Sequence, residues 1–225
     1  MDFSQVIIVL PILLFSVIVH EIAHGWTALR CGDPTARDAG RLTFNPIPHI
    51  DPFMTVILPL LLIVSGAGFV IGGAKPVPVN PYLFRGGERD NVLVSASGAA
   101  ANLLLALAAF LLSLLAIGVY RATGARSLIE LLGLLNIVVF INLLLANFNL
   151  LPIPPLDGSH ILAYFLQGEA KAAYLRFSRY GFMVLIGVIF LGDLLPIPGG
   201  LFSLLFAPTF AVRRALIAVQ IGFLV

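Results

Sequence analysis

The stretch FSQVIIVLPILLFSVIVHEIAHGWTAL, residues 3–29, decides the fold class of this chain. Its first charged residue is Glu21, so the apolar run and the motif that follows it are long enough to cross a bilayer as one helix. An ionisable group at bilayer depth costs about 2.5–3.5 kcal/mol on insertion scales and therefore usually has a functional partner. The stretch predicts a membrane helix that carries a functional site in its second half.

Composition extends this prediction to the whole chain. Of its 225 residues, 60% are hydrophobic and only 11% are charged. Several uncharged stretches exceed the ~18 residues typical of a membrane span. A soluble domain of this size could not bury so much apolar surface, so we expect a polytopic, all-helical membrane protein. The first apolar run continues into polar residues without a small-residue cleavage site, and we interpret it as a retained helix.

Charge and cysteine content exclude other classes of protein. The net charge of +2 is spread along the chain without a basic block, so we expect no nucleic-acid partner. Cys31 is the one cysteine, which excludes an intramolecular disulfide bond and a CxxC metal site.

Apolar segments after the first helix predict further membrane spans. Three of them are uncharged and cover residues 53–74, 92–120 and 131–156. Two more cover residues 180–195 and the last 25 residues, the latter apolar except for Arg213 and Arg214. We expect about five to six membrane segments in one transmembrane domain over residues 1–225. The motifs lie within residues 18–160, and residues 180–225 add C-terminal membrane segments to which the sequence assigns no role.

A proline-rich segment predicts a small β element near the site. AKPVPVNP, residues 74–81, alternates Val with Pro and is typical of an edge strand, because Pro cannot donate to a β-ladder. GRLTFN, residues 40–45, is the predicted partner strand of a hairpin. Such an edge could hold an extended substrate through main-chain hydrogen bonds. The alternative is an ordinary loop at the membrane interface.

The motif HEIAH, residues 20–24, predicts a metal site. Residues four apart lie on one face of a helix, so His20 and His24 can bind one metal ion. Glu21 lies beside them and can accept a proton from water there. This is the HExxH arrangement of zinc hydrolases.

Catalytic zinc generally takes three protein ligands. Asp157, in PPLDGSH at the end of an apolar run, is the best candidate for the third. An Asp-Gly pair alone is usually a turn, but beside an HExxH motif a metal ligand is the better interpretation. His49 and His160 are less favoured alternatives, and Glu130 and Glu169 have no supporting motif.

The ligand hypothesis implies a topology. Asp157 should lie near the end of a helix that starts near Ser127, and the histidines also lie toward the end of theirs, so the two helices should run parallel. Residues 92–120 supply the single intervening span. Residues 53–74 should then form a re-entrant segment or a hairpin that returns to the same side, which their Pro and Gly residues permit.

Four motifs together resemble the site-2 protease family of intramembrane zinc metalloproteases. HEIAH and NLLPIPPLDG, residues 149–158, resemble its two main motifs. SGAAAN, residues 97–102, is similar to its glycine-to-asparagine motif in the intervening helix. GGAKPVPVNP, residues 72–81, resembles the extended segment of compact bacterial and archaeal members without PDZ or CBS domains.

The resemblance implies a role for each matching residue. His20, His24 and Asp157 would bind one zinc ion per chain, and Glu21 would be the catalytic glutamate. Asn149 would bind substrate or stabilise the oxyanion. Its alternative is a cap on carbonyl groups freed by the prolines that follow. Asn102 would be a supporting polar residue.

The resemblance also implies the setting of the reaction. The substrate would be a transmembrane protein or peptide in the lipid bilayer, and the protein would lie in the cell membrane of a bacterium or archaeon. The active site would lie nearer the cytosolic face, although the Lys and Arg counts of the polar connections do not determine orientation. A homo-oligomer is compatible with the sequence.

Two other classes of protein compete with the protease. A metal-binding transport or pore protein would line an ion path with the histidines and Asp157, but transporters often have paired repeats and we find none in this sequence. A non-catalytic membrane scaffold would not need Glu21 together with three ligands.

Overall fold

The computed structural model describes residues 3–64, 72–191 and 200–224. Within these ranges every regular element is a helix. The α-helices are α1 (Phe3–Cys31), α2 (Thr35–Asp38), α3 (Leu58–Val64), α4 (Glu88–Thr123), α5 (Ser127–Leu150), α6 (Asp157–Phe165), α7 (Gly168–Phe177), α8 (Gly181–Leu191), α9 (Gly200–Leu205) and α10 (Ala207–Leu224). Short 3₁₀ turns lie at Ile47–His49, Pro81–Leu83 and Ser178–Tyr180, and a π-helical turn covers Pro52–Ile57.

The chain divides into two compact units, Met1–Ala101 and Asn102–Val225, with the boundary inside α4. Each unit is described by itself. The first contains α1 to α3 and the start of α4, and the second contains the rest of α4 and the later helices.

Three helices in the described ranges are long and apolar enough to cross a membrane: Val6–Cys31, Glu88–Thr123 and Ser127–Leu150. They correspond to the first, third and fourth predicted spans, which confirms an all-helical chain built around apolar helices. The predicted total of five to six segments is not confirmed. The predicted segments 53–74 and 180–195 both extend into residues outside the described ranges.

The surface of α4 fits a lipid environment. Leucines at helical spacing are more than half exposed: Leu104, Leu107, Leu111 and Leu115. The opposite side of α4 packs on α5 through Ala106, Ala109 and Phe110. A helix that presents leucine outward and small residues inward is typical of a membrane bundle, because the solvent there is itself apolar.

The fourth span ends earlier than predicted. We expected an uncharged helix to Leu156 with Asp157 near its end, but α5 ends at Leu150. Pro152, Pro154 and Pro155 follow, and a proline lacks the N–H that would continue the helix. Asp157 instead begins the separate helix α6.

The predicted β-hairpin is not confirmed. Within the described residues neither 40–45 nor 74–81 forms a strand. The extended segment, residues 72–80, is bonded to the first unit by groups outside any β-ladder. The Lys75 N–H donates to the His49 carbonyl at 2.7 Å, and Arg41 Nη2 donates to the Lys75 carbonyl at 2.6 Å. These partners come from loops and side chains, so among the described residues no second strand pairs with the segment.

The described ends of segment 53–74 lie side by side, as a re-entrant segment or hairpin requires. The Gly73 N–H donates to the Met54 carbonyl at 3.0 Å. The Thr55 hydroxyl donates to the Gly73 carbonyl at 2.6 Å. The chain has therefore reversed by Gly73, and residues 65–71, which complete the segment, lie outside the described ranges.

The C-terminal helix α10 completes a bundle with α4 and α5 in the second unit. Gln220 Nε2 donates to the Ser113 hydroxyl of α4 at 2.6 Å. Asn147 Nδ2 of α5 donates to the Thr209 hydroxyl at 3.1 Å. These bonds connect polar groups of neighbouring helices, so α10, to which the sequence assigned no role, packs in the bundle.

Candidate active site

The first half of the site lies on one turn of α1. His20 and His24 are four residues apart, and their Nε2 atoms are 2.9 Å apart. The two rings meet edge to face with centroids at 4.5 Å. His20 is buried and His24 is half-buried. The helical spacing therefore brings the two imidazoles to one point, as the sequence predicted.

A backbone carbonyl fixes the ring of His24. Its Nδ1 lies 2.7 Å from the carbonyl oxygen of Val94, on the first turns of α4. Because a carbonyl can only accept, Nδ1 carries the hydrogen, and Nε2 of the neutral ring has a lone pair. Metal-binding histidines are commonly oriented by such a second hydrogen bond.

Gly98 of α4 lies against both imidazoles. A Cβ atom at this position would be 2.5 Å from Cε1 of His20 and 2.6 Å from Nε2 of His24. Contacts this short are not tolerated by real side chains, so only glycine fits. Gly98 is the glycine of SGAAAN, and its missing side chain allows α4 to lie close to α1 at this point.

The extended segment contacts Glu21. The N–H of Val77 donates to Oε2 of Glu21 at 2.7 Å. The Val77 side chain is buried. A Cβ atom on Gly25 would be 2.9 Å from Val77 Cγ1, so the segment packs closely on α1. Sequence reasoning missed this contact because a backbone N–H leaves no mark in the sequence.

Asp157 lies in the second unit, where packing holds the turn before it. A Cβ atom on the next residue, Gly158, would be 2.2 Å from the Leu150 carbonyl oxygen. The start of α6 can therefore sit on the end of α5 only with glycine there. Asp157 itself is half-buried.

The proline turn between α5 and α6 has two further supports in the second unit. The Tyr174 hydroxyl donates to the Pro152 carbonyl at 3.1 Å. Burial raises the pKa of Tyr174, against a smaller lowering by its contact with Ser159, so the phenol stays protonated and remains a donor. A Cβ atom on Gly181 would be 2.4 Å from the Pro154 carbonyl oxygen, so α8 begins directly against the turn.

The remaining predicted residues have different environments. Asn149 Nδ2 donates to the Leu145 carbonyl of its own helix at 3.0 Å, and this carbonyl lies before those that the prolines free. Asn102 is fully buried, and its Nδ2 donates to Asn142 Oδ1 at 2.9 Å, which is a packing role. His49 is fully buried with Nε2 2.9 Å from the Thr43 carbonyl oxygen, whereas His160 is exposed.

The donors on α1 fit a zinc ion. Two nitrogen ligands on tetrahedral zinc lie about 3.3 Å apart, given Zn–N distances of about 2.05 Å. The Nε2 atoms of His20 and His24 are 2.9 Å apart, so a small movement would accommodate the ion. The Val94 carbonyl leaves His24 Nε2 free of hydrogen, which is the state a metal ligand requires.

Known proteins match most of the chain. The family model described as peptidase family M50 matches residues 115–192. A Bacillus subtilis protein named "Putative zinc metalloprotease YwhC" is 38% identical over 176 residues, which are 77% of this chain and 76% of that protein. A Mycolicibacterium smegmatis protein named "Putative zinc metalloprotease Rip2" is 32% identical over 179 residues, covering 77% of this chain and 62% of that protein.

A shorter match is to "Zinc metalloprotease RasP" of Bacillus licheniformis, which is 33% identical over 75 residues, covering 33% of this chain and 18% of that protein. No solved structure matches the chain. The similarity to YwhC extends over three quarters of both chains and confirms the resemblance that the motifs indicated. The chain therefore belongs to peptidase family M50, the site-2 protease family.

Proposed function

We propose that this protein is an intramembrane zinc endopeptidase that hydrolyses peptide bonds of transmembrane substrates. Membership of peptidase family M50 supports this function. The observation that carries it is the pair of Nε2 atoms 2.9 Å apart on α1, with Glu21 on the same turn. Family membership does not favour the alternatives, a transport or pore protein and a non-catalytic scaffold.

The proposed ligands of one zinc ion per chain are His20, His24 and Asp157. Two imidazoles and one carboxylate form a ligand set suited to catalytic zinc, which leaves a position open for the reaction. The rigid proline turn and the close approach at Gly158 support the role of Asp157, because a metal ligand must be held in place.

The proposed chemistry divides among the side chains of the site. Bound zinc supplies Lewis-acid activation of water and of the substrate carbonyl group. Glu21 accepts the proton of the attacking water and passes it to the departing nitrogen. Asn149 donates to the developing oxyanion, a contact worth about 3 kcal/mol. A side-chain amide carries two hydrogens, so the bond to Leu145 leaves one for the substrate.

The proposed setting is the cell membrane of a bacterium or archaeon, with the site nearer the cytosolic face. Three apolar helices and bacterial relatives support an integral membrane protein. The further membrane segments that make five to six would come from residues 53–74 and 180–225. Reporter fusions at the α4–α5 connection and after α10 test this topology.

We also propose that the extended segment 72–80 binds the substrate main chain beside the site. The N–H groups of Gly73, Lys75 and Val77 are already bonded within the first unit. Pro76 and Pro78 have none. A substrate strand would therefore meet mainly carbonyl acceptors, which differs from an ordinary β-edge.

Zinc content is the measurement that tests the function. We would analyse metal in detergent-purified wild type, Glu21→Gln and Asp157→Ala, and assay cleavage of a transmembrane peptide in parallel. We expect one zinc per chain in the wild type. Glu21→Gln should keep its zinc without activity, and Asp157→Ala should lose both. His160→Ala is the matched control, because His160 is exposed and neighbours Asp157 on α6.

Two outcomes would contradict parts of this proposal. Zinc undiminished in Asp157→Ala would mean that another residue is the third ligand. A wild type without metal and without cleavage would remove the enzymatic function altogether.

A further inference from the structure

We propose that the backbone N–H of Val77 positions the catalytic carboxylate of Glu21. This inference rests on the proposed role of Glu21 as the proton acceptor. The N–H donates to Oε2 at 2.7 Å, and the other oxygen, Oε1, can accept the proton of the attacking water. A hydrogen bond to a charged acceptor is about twice as strong as a neutral one, so it can hold a flexible side chain in one orientation.

The orientation of Glu21 matters because its side chain has three rotatable bonds. Glutamate loses up to about 2 kcal/mol of conformational entropy when it is fixed, and an unfixed base spends most of its time away from the water it must deprotonate. Misplacement of a reacting group by 1 Å can cost about 100-fold in rate. A hydrogen-bond donor fixed at Oε2 orients the carboxylate before the substrate binds, so this loss of rate is avoided.

The N–H of Val77 is itself held by its neighbours in the sequence. Pro76 and Pro78 flank it, and a residue before proline is restricted to extended conformations. The Val77 side chain is buried, and its Cγ1 lies where a side chain on Gly25 would clash. The donor is therefore anchored to the same helix that carries Glu21.

Buried charged residues anchor the segment on both sides of Val77. Arg41 is buried and donates from Nη2 to the Lys75 carbonyl at 2.6 Å. Asp33 is fully buried, and its Oδ2 accepts the Asn80 N–H at 2.6 Å. The proposed chemistry uses neither charge. Arg41 and Asp33 are positioning residues that act on Glu21 through the segment and the Val77 N–H.

Proline substitution separates the N–H from the side chain. Val77→Pro deletes the donor and keeps a side chain of similar size, whereas Val77→Ala keeps the donor and loses packing. We expect kcat to fall about 10-fold to 100-fold in Val77→Pro with KM nearly unchanged, and only about threefold in Val77→Ala, which keeps the N–H.

Two readouts do not depend on catalysis. Zinc content should equal that of the wild type in Val77→Pro and Val77→Ala, because the Val77 N–H bonds to Glu21 and not to the histidines. In Glu21→Ala, one amide hydrogen in the peptide covering residues 73–80 should exchange faster than in the wild type. In Glu130→Ala the exchange of this peptide should not change. This second readout tests the contact even if Val77→Pro does not fold.

The outcomes distinguish this inference from the proposed function. If the wild type cleaves and loses activity in Glu21→Gln, but Val77→Pro matches Val77→Ala, the positioning role is wrong and the function stands. A higher kcat in Val77→Pro would also overturn it, because the contact would then be inhibitory. Unchanged exchange in Glu21→Ala would show that the hydrogen bond does not form. If Glu21→Gln stays active, the proposed function fails instead.

Discussion

The two parts of the candidate site are built in different ways. On α1, the spacing of one helical turn brings His20 and His24 together, and α4 then fits around them through Gly98. Asp157 follows a proline turn that has no helical periodicity. The next residue, Gly158, packs directly against the Leu150 backbone and so fixes the start of α6. One part depends on local geometry and the other on tertiary packing.

This difference determines how each part should respond to mutation. Around α1 the backbone is secured by its own helical hydrogen bonds, so a change there should disturb the two imidazoles and leave the fold intact. Around Asp157 the backbone is secured by contacts between α5, α6 and α8, so a change there should reduce stability as well.

The largest effect on zinc affinity should come from Gly98→Ala, which tests the α1 part. Its Cβ would collide with both imidazoles, so we expect zinc affinity to fall by about 100-fold or more while helix content stays the same. Competition with a chelator measures the affinity. Gly118→Ala, on the same helix with open space around its Cβ, is the control. Wild-type zinc affinity in Gly98→Ala would contradict the close approach.

Gly158→Ala tests the turn before α6 and should reduce both stability and zinc binding. A Cβ atom 2.2 Å from a backbone carbonyl oxygen cannot be accommodated by a side-chain movement. We expect the free energy of unfolding in detergent to fall by about 3 kcal/mol or more. The control is Gly133→Ala in α5. A Cβ atom there would have no neighbour within 4 Å, so the change should be neutral or slightly stabilising. A stable Gly158→Ala that only lost zinc would remove the contrast between the two parts.

Acid should loosen the extended segment through Asp33. Burial would raise the pKa of this carboxyl, but hydrogen bonds from Asn80 and Thr35 outweigh it and lower the pKa below its usual value. A carboxyl whose folded pKa is lowered contributes stability above its unfolded pKa of about 3.9, and loses it as pH falls through the folded value. We expect Asp33→Asn to be less stable at neutral pH and to lose less on acidification below about pH 4.

Unfolding midpoints measured from pH 7 to pH 3 would check this prediction. The control is Asp38→Asn, since Asp38 pairs with Arg37 on the surface and exposed pairs contribute little. If the unfolding midpoints of the wild type and Asp33→Asn fell equally on acidification, another carboxyl would dominate the loss of stability in acid.

The smallest effect should come from Gln220→Leu in α10. This change removes the donor to Ser113, whose hydroxyl keeps its own bond to the Phe110 carbonyl. Hydrogen bonds between membrane helices contribute about 0.6 kcal/mol on average, so we expect a loss of about that size without change in activity. A large loss of activity would mean that α10 contributes to catalysis.

Sequence reasoning was most successful where a pattern repeats locally. The three helices that are long and apolar enough to cross a membrane follow from runs of apolar residues. The close approach of the His20 and His24 rings follows from a four-residue spacing. Sequence reasoning was less successful where prolines interrupt regular secondary structure. The predicted hairpin over residues 40–45 and 74–81 is absent from the described residues, and α5 ends at Leu150, six residues before the expected end.

The sequence by itself determined that this chain is an apolar helical protein with an HExxH turn on its first helix. Both properties come from interactions within one segment, and those depend only on which residues are neighbours along the chain. Only the tertiary structure decided that Val94 orients His24, that Gly98 admits both imidazoles and that Val77 binds Glu21. The contacts of Val94 and Val77 use backbone atoms, which almost every residue type supplies, so residue identity does not encode them. The sequence contains the glycine at position 98, but only the packing of α4 on α1 shows which side chains it admits.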